Sequence, residues 1–334
     1  FLYTDQQRYD TLACYGNERI EMPNLNRLAD TATVFDRAYV TQPVCTPSRS
    51  SILTGLTPHR SGCVENNIPL QAETRCLPEY LPDDYVTGHF GKWHLGDEVF
   101  PQHGFDEWRG IDDAYAPFYS LCRDRNATSD YHRFLLENGV TPRNGETFSR
   151  PQVAQLPEEL SKPAFLARES VDFLRRNRDN PFVLYINFFE PHTPNNGPRD
   201  QQYDRAKIPL PDNFESAPGS DAPLKNRLLC RKTRDGGLRT PEDFIEYIAR
   251  YWGLCSLIDT HAGTVLDALE DLGLADDTIV VFTSDHGDML GNHQLLLKTF
   301  MYDESARVPL LIRQPGQRRQ TRVTGPVSQV DIVP

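Results

Sequence analysis

The features missing from this chain narrow its class first. No apolar run approaches the roughly 18 residues that a membrane-spanning helix needs; the longest, Phe182 to Phe189, has the length of a strand. Basic residues are in deficit, with Lys+Arg 35 against Asp+Glu 47 and a formal net charge of −12. The chain therefore has no basic footprint for general binding of nucleic acid or anionic membrane, although one locally basic pocket remains compatible with this balance. The cysteines (Cys14, Cys45, Cys63, Cys76, Cys122, Cys230, Cys255) are odd in number, scattered, and never spaced C-x-x-C. Their spacing supports neither a zinc motif nor a disulfide scaffold, and leaves the redox compartment open. Internal repeats and low-complexity tracts are lacking as well. The sequence opens on Phe1-Leu2-Tyr3-Thr4 without a Met or a signal-peptide pattern, and stops inside the hydrophobic stretch Val327 to Pro334. We read it as a fragment, incomplete at both ends.

Aromatics at 10% and a hydrophobic set at 38% are enough to fill a core. The length allows one large domain or two modest ones. Short apolar runs alternate with helix-length amphipathic stretches, which predicts an α/β fold with a largely parallel sheet flanked by helices. Phe1 to Tyr3 reads as the end of a first strand. Pro23 to Asp30 reads as a helix opening on a proline, and Val86 to Phe90 as a short strand stopped at Gly91. Lys162 to Arg178 carries Phe165, Leu166, Phe173 and Leu174 on a helical period, and Val183 to Phe188 is apolar almost throughout, as a strand covered on both faces should be. Asp243 to Leu272 is a second long helix with Gly273 at its C-terminal end, and Thr278 to Thr283 is the next strand. Residues 110–160 and 195–240 have weak periodicity and read as excursions from the sheet.

Four of these strands end in polar residues that a plain connection does not need: Thr4-Asp5-Gln6-Gln7, Gly91-Lys92-Trp93-His94, Glu190-Pro191-His192 and Ser284-Asp285-His286-Gly287. In an open α/β sheet, sites form outside the carboxyl ends of the strands, so four separate segments are predicted to converge on one rim. A fifth segment, Cys45-Thr46-Pro47-Ser48-Arg49, places a cysteine where a proline opens a helix. Unpaired backbone N–H groups there favour an anion and lower a thiol's pKa. A lone buried cysteine is usually a small hydrophobe; the motif around Cys45 reverses that reading.

This set of segments resembles the type I sulfatases of the alkaline phosphatase superfamily, over nearly the whole chain. Their signature C-x-P-S-R followed by T-G is matched by Cys45-Thr46-Pro47-Ser48-Arg49 with Thr54-Gly55, and their G-K-x-H by Gly91-Lys92-Trp93-His94, although the usual upstream glycine is Asp84 here. The resemblance implies an alkaline-phosphatase-like sandwich, with residues 1–334 forming most of the catalytic domain and a smaller C-terminal antiparallel subdomain lying outside the sequence. It also implies that a maturation enzyme oxidises Cys45 to formylglycine, whose hydrate is the nucleophile. Asp5, Gln6, Asp285, His286 and an oxygen of the modified Cys45 would form a metal site, with Ca²⁺ expected and Mn²⁺ or Mg²⁺ as substitutes. Arg49, Lys92 and Lys298 would be the cations that stabilise charge on a sulfuryl group. His192 would act on the departing ester oxygen as a general acid, and His94 would contact the formylglycine hydroxyl and help to release sulfate.

Taken singly, several of these residues have plainer readings: Lys298 as a solvated charge, His192 as a loop residue beside Pro191, Asp285 to Asp288 as a capped turn. His293 and Asn292 are left outside the core site. Asn126-Ala127-Thr128 fits an N-glycosylation sequon, relevant only in a secretory host. The expected activity is hydrolysis of a sulfate ester, with the Arg-, Asn- and Tyr-rich excursions suited to a sulfated carbohydrate. The alternatives are a phosphonate monoester or phosphodiester hydrolase of the same superfamily, and an inactive homologue that binds sulfated ligands. Lys92 and His94 favour the sulfatase, since the phosphonate branch tends to carry uncharged residues there. Export is favoured over a cytoplasmic location, and the sequence does not specify an oligomeric state.

Overall fold

The computed structural model describes residues 1–333. Nine strands form one sheet: β1 (Leu2–Asp5), β2 (Thr33–Tyr39), β3 (Val86–Gly91), β4 (Glu107–Arg109), β5 (Phe182–Pro191), β6 (Val280–Ser284), β7 (Arg307–Val308), β8 (Leu310–Arg313) and β9 (Thr321–Ser328). The order is β4-β3-β5-β1-β6-β8-β2-β7, and β9 pairs with β2. The half from β4 to β6 is parallel throughout. On the other side β8 runs antiparallel to both β6 and β2, and β9 lies parallel to β2. The sheet is thus mostly parallel, as expected, with an antiparallel section that the sequence did not announce.

The helices are α1 (Pro23–Asp30), α2 (Cys45–Thr54), α3 (Pro58–Ser61), α4 (Asp130–Glu137), α5 (Arg150–Val153), α6 (Lys162–Arg176), α7 (Leu224–Asp235), α8 (Pro241–Asp271) and α9 (Asp303–Ala306). Thr240 starts α8 with a capping box: its side chain accepts the Asp243 N–H while the Asp243 carboxylate accepts the Thr240 N–H. Strand β5 shows why the fold is a sandwich. Leu184, Ile186 and Phe188 enter the large core shared with α1, α6 and α8, whereas Tyr185, pointing the opposite way, enters a second core with Leu53 of α2, Trp93, Phe105 and Trp108. A strand buried on both faces has no need of polar alternation. The two excursions are not irregular throughout, since they contain α4, α5 and α7. Among the described residues no helix is long and apolar enough to cross a membrane.

Candidate active site

The carboxyl ends of β1, β3, β5 and β6 meet the N-terminus of α2. Two glycines permit the approach. Gly91 at the end of β3 has φ +116°, and a Cβ there would lie 2.0 Å from the Asn187 carbonyl oxygen; at Gly287 a Cβ would lie 2.0 Å from the Glu304 carbonyl oxygen. Both points are where the chain leaves a strand and presents its polar residues.

Asp5 is fully buried. Its Oδ2 accepts hydrogen bonds from Lys92 Nζ at 2.5 Å and Arg49 Nη2 at 2.9 Å, while its Oδ1 has no partner. Burial pushes the Asp5 carboxyl up, but Lys92, His192 and Arg49 outweigh it and hold the group well below the usual carboxylate range. Asp285 Oδ2 accepts from Arg49 Nε at 3.0 Å, and its Oδ1 accepts the Gln6 backbone N–H at 2.9 Å. Arg49 completes its fork by donating from Nη1 to the Lys92 carbonyl at 2.8 Å, and its guanidinium lies over the Tyr3 ring. The sequence offered Arg49 as a cation for the sulfuryl group. Its donors are directed at two carboxylates and a backbone carbonyl.

His286 donates from Nδ1 to the Gly287 carbonyl at 2.9 Å, which turns Nε2 toward the carboxylates and the thiol. That nitrogen lies 3.2 Å from Cys45 Sγ and 3.5 Å from Asp285 Oδ1. One donor atom from each of Asp5, Cys45, Asp285 and His286 falls within 4.8 Å of the others, and all four residues are buried. The orphan Asp5 oxygen, the inward-facing imidazole nitrogen and the hard oxygen donors fit a divalent cation. Gln6, in a left-handed conformation at φ +74°, donates from its amide to Asp288 Oδ2 at 2.5 Å and accepts from Lys298 Nζ at 2.6 Å. Gln6 thus draws Lys298 to the rim. The Cys45 thiol is pushed up by burial and Asp5, but Lys298, Lys92 and His286 together bring it below its ordinary value.

His94, at φ +60°, donates from Nε2 to Asn67 Oδ1 at 3.1 Å, and its carbonyl accepts from Thr46 Oγ1 in the first turn of α2. His192 donates from Nδ1 to the Thr193 carbonyl at 2.8 Å and lines a cleft with Arg150, Lys162, Phe189 and Glu190. Burial, Lys298 and Lys92 keep His192 neutral. Asp5, Gln6, Cys45, Arg49, Lys92, Asp285, His286 and Lys298 are thus linked by contacts at one rim. His293 turns away and donates to the Ser216 carbonyl.

The sequence reading missed several contributors. Glu98, 1% exposed, accepts the backbone N–H groups of Trp93 and His94 on its two oxygens at 2.9 and 2.6 Å, fixing the loop that carries Lys92 and His94. Asp288 holds Gln6, and Gln329 bridges Ser48 of α2 to Thr283 and Ser284 at the end of β6. Only Asp288 had a visible signal, three residues after Asp285 in one polar run.

A family model for sulfatases matches residues 1–334. The chain belongs to the sulfatase family. An arylsulfatase of Clostridium perfringens is 31% identical to this sulfatase chain over 94% of it and 68% of the relative. An ulvan-active sulfatase of Formosa agariphila is 28% identical over 100% of the chain and 60% of the relative. Among solved structures, a phosphonate monoester hydrolase of Agrobacterium radiobacter superposes with a TM-score of 0.81 at 25% identity, covering 100% of this chain and 72% of that one. The sulfatase chain spans about two thirds or less of the length of the curated relatives it matches. The alkaline-phosphatase-like α/β architecture agrees with these neighbours.

Proposed function

We propose that residues 1–334 form the catalytic domain of a sulfuric ester hydrolase that releases inorganic sulfate. The observation that carries this reading is the buried meeting of Cys45, at the N-terminus of α2, with the Asp5 and Asp285 carboxylates, the His286 imidazole and the cations Arg49, Lys92 and Lys298. A sulfate ester carries one negative charge over three oxygens, and preorganised cations stabilise it further as charge moves to the leaving oxygen. Asp5, Asp285, His286 and the side chain at position 45, with Gln6 beside them, would hold the divalent cation, Ca²⁺ being expected and Mn²⁺ or Mg²⁺ fitting the same donors. When bound, such an ion supplies Lewis-acid polarisation of a sulfuryl oxygen.

Conversion of Cys45 to formylglycine by a maturation enzyme would supply a nucleophilic hydroxyl where the thiol now stands. Around it, Arg49 fixes both carboxylates, Lys92 and Lys298 face the transferring group, and His94 orients the reacting hydroxyl. His192 serves the leaving oxygen through Nε2. Burial first, and then Lys298 and Lys92, lower its proton affinity in the free protein, and the incoming anionic ester offsets those cations and raises it.

The ulvan-active relative and the setting of the rim, with Tyr115, Arg150 and Asn67 around His94 and His192, support a sulfated saccharide as substrate. A second reading, phosphonate monoester hydrolysis, is favoured by the structural neighbour. Both are tested on the full-length protein co-expressed with a formylglycine-generating enzyme, by comparing kcat/KM for an aryl sulfate and an aryl phosphonate with the same leaving group. Preferential sulfate release, together with thiol-to-aldehyde conversion at Cys45 in the peptide mass, supports the sulfatase. Preferential phosphonate hydrolysis overturns it, and a persistent thiol without turnover points to a protein that only binds sulfated ligands.

A further inference from the structure

Behind the loop that carries Lys92 and His94 lies a second cluster of ligand-type side chains, remote from the chemistry assigned above. Cys76 stands before the short 3-10 turn Leu77–Tyr80, Glu79 lies within that turn, and His103 comes from the loop before β4. One donor atom from each falls within 4.8 Å of the other two. The His103 side chain is 4% exposed and that of Glu79 25%, so the cluster is covered on the imidazole side and reaches solvent at the carboxylate.

The orientation of the groups matters more than their nearness. His103 Nδ1 is buried and has no hydrogen-bond partner, yet it lies 3.6 Å from Glu79 Oε2. A buried imidazole nitrogen without a hydrogen-bond partner, within reach of a carboxylate and a thiol, has the surroundings of a metal-ligating histidine. In a tetrahedral zinc site with bonds of about 2.0–2.3 Å, neighbouring donor atoms stand about 3.3–3.8 Å apart, and the 3.6 Å between Nδ1 and Oε2 is such an edge. Glu79 also accepts the Cys76 N–H at 2.8 Å, which keeps thiol and carboxylate on the same side of the turn.

We propose that Cys76, Glu79 and His103 bind a zinc ion as thiolate, carboxylate and neutral imidazole, with solvent in the fourth position. Sulfur, nitrogen and oxygen donors in a tetrahedral set suit zinc rather than the hard cation of the rim. As the S–Zn bond forms, the S–H bond breaks and its proton passes to solvent, so one proton is released per ion bound, and the two anionic ligands neutralise the metal. The ion ties the turn at Leu77–Tyr80 to the loop at His103. The Trp93 ring packs on His103 with centroids 5.7 Å apart, so this tie braces the Gly91-to-His94 segment from behind.

The test uses the full chain carrying Cys45→Ala, which removes the thiol from the rim. After chelator treatment, cobalt(II) is titrated in and the near-ultraviolet thiolate-to-cobalt band is recorded, followed by displacement with zinc. We expect a thiolate band saturating at one equivalent, bleached by zinc, and absent when Cys76→Ser is added. Glu79→Gln preserves an acceptor for the Cys76 N–H, and in it the band persists while zinc affinity falls by at least about tenfold; this variant carries the test if the serine variant does not fold. Absence of a thiolate band, a band unaffected by Cys76→Ser, unaltered zinc affinity in Glu79→Gln, or a Cys63–Cys76 disulfide in the non-reduced peptide map would overturn the proposal.

Discussion

Replacing Arg49 by methionine removes three hydrogen bonds from a side chain that is 1% exposed: two to the carboxylates of Asp5 and Asp285 and one to the Lys92 carbonyl. Two charge-assisted bonds at about 1.5–3 kcal/mol each and a neutral one near 1 kcal/mol sum to roughly 4–7 kcal/mol. Asp5 keeps Lys92 as a partner, whereas Asp285 loses its guanidinium outright, so the lower part of that range applies, close to the roughly 3–5 kcal/mol for breaking a buried ion pair. At about 2–4 °C per kcal/mol for a large domain, the melting temperature should fall by roughly 6–20 °C in metal-free protein. The deficit should shrink on adding Ca²⁺, because a bound cation neutralises the carboxylates that the guanidinium had served. Arg49→Lys should recover only part of the loss, since a point ammonium cannot span three acceptors. Scanning calorimetry of the three proteins, with and without metal, gives the comparison. An Arg49→Met transition within about 1 °C of the parent, with an unchanged response to Ca²⁺, would refute the positioning role.

Burial pushes the Glu98 carboxyl up to about 7 although two backbone N–H groups donate to it. The folded state therefore keeps a proton that the unfolded chain loses near pH 4.5, and this group's contribution to stability should decline by about 3 kcal/mol as pH rises from 4.5 to 7. Glu98→Gln should remove that slope and cost about 1–3 kcal/mol, because its NH₂ must face a backbone N–H; denaturant titrations across this pH range that leave parent and variant parallel would contradict the assignment. In metal-free, unconverted protein, the Cys45 thiolate should form below the ordinary thiol range, and Lys298→Ala should move its titration upward. The Cys45→Ala difference in thiolate absorbance against pH measures this, and a titration unmoved by Lys298→Ala would count against Lys298 as a rim cation. For the converted enzyme, His192→Ala should slow an alkyl or sugar sulfate by about 10²–10⁴-fold and a nitrophenyl sulfate much less; equal losses for both would remove His192 from the leaving-group side.

Much of the parallel half of the sheet was legible because its strands are short apolar runs closed by polar ends. Pro23 to Asp30 was read to the residue, since a proline at its start and a clean Leu25–Leu28 spacing mark it. Helix α7 was not, because it opens on Pro223 without a side-chain cap and buries only Cys230, leaving little period to read. Strand β9 was hidden for another reason: Gly325-Pro326 reads as a break, and pairing with β2 alone makes the segment extended. At the rim, residue types were legible but directions were not. A sequence shows that position 49 is an arginine and not which way its fork faces. Glu98 left no pattern at all, because its partners are backbone N–H groups that belong to no residue type.

All ten residues of α2 are buried, although seven of them are Thr, Ser, Arg or Cys. Under the proposed conversion of Cys45, this has a consequence for timing. Once the sheet has closed over α2, a second enzyme has no path to the thiol, so the modification and the collapse of the chain are competitors in time. The active fraction of a preparation is then a ratio of two rates, fixed during synthesis and insensitive to later incubation with the modifying enzyme. Substitutions that hasten docking of α2 should yield more folded protein and less working protein, and slower synthesis should favour the opposite outcome.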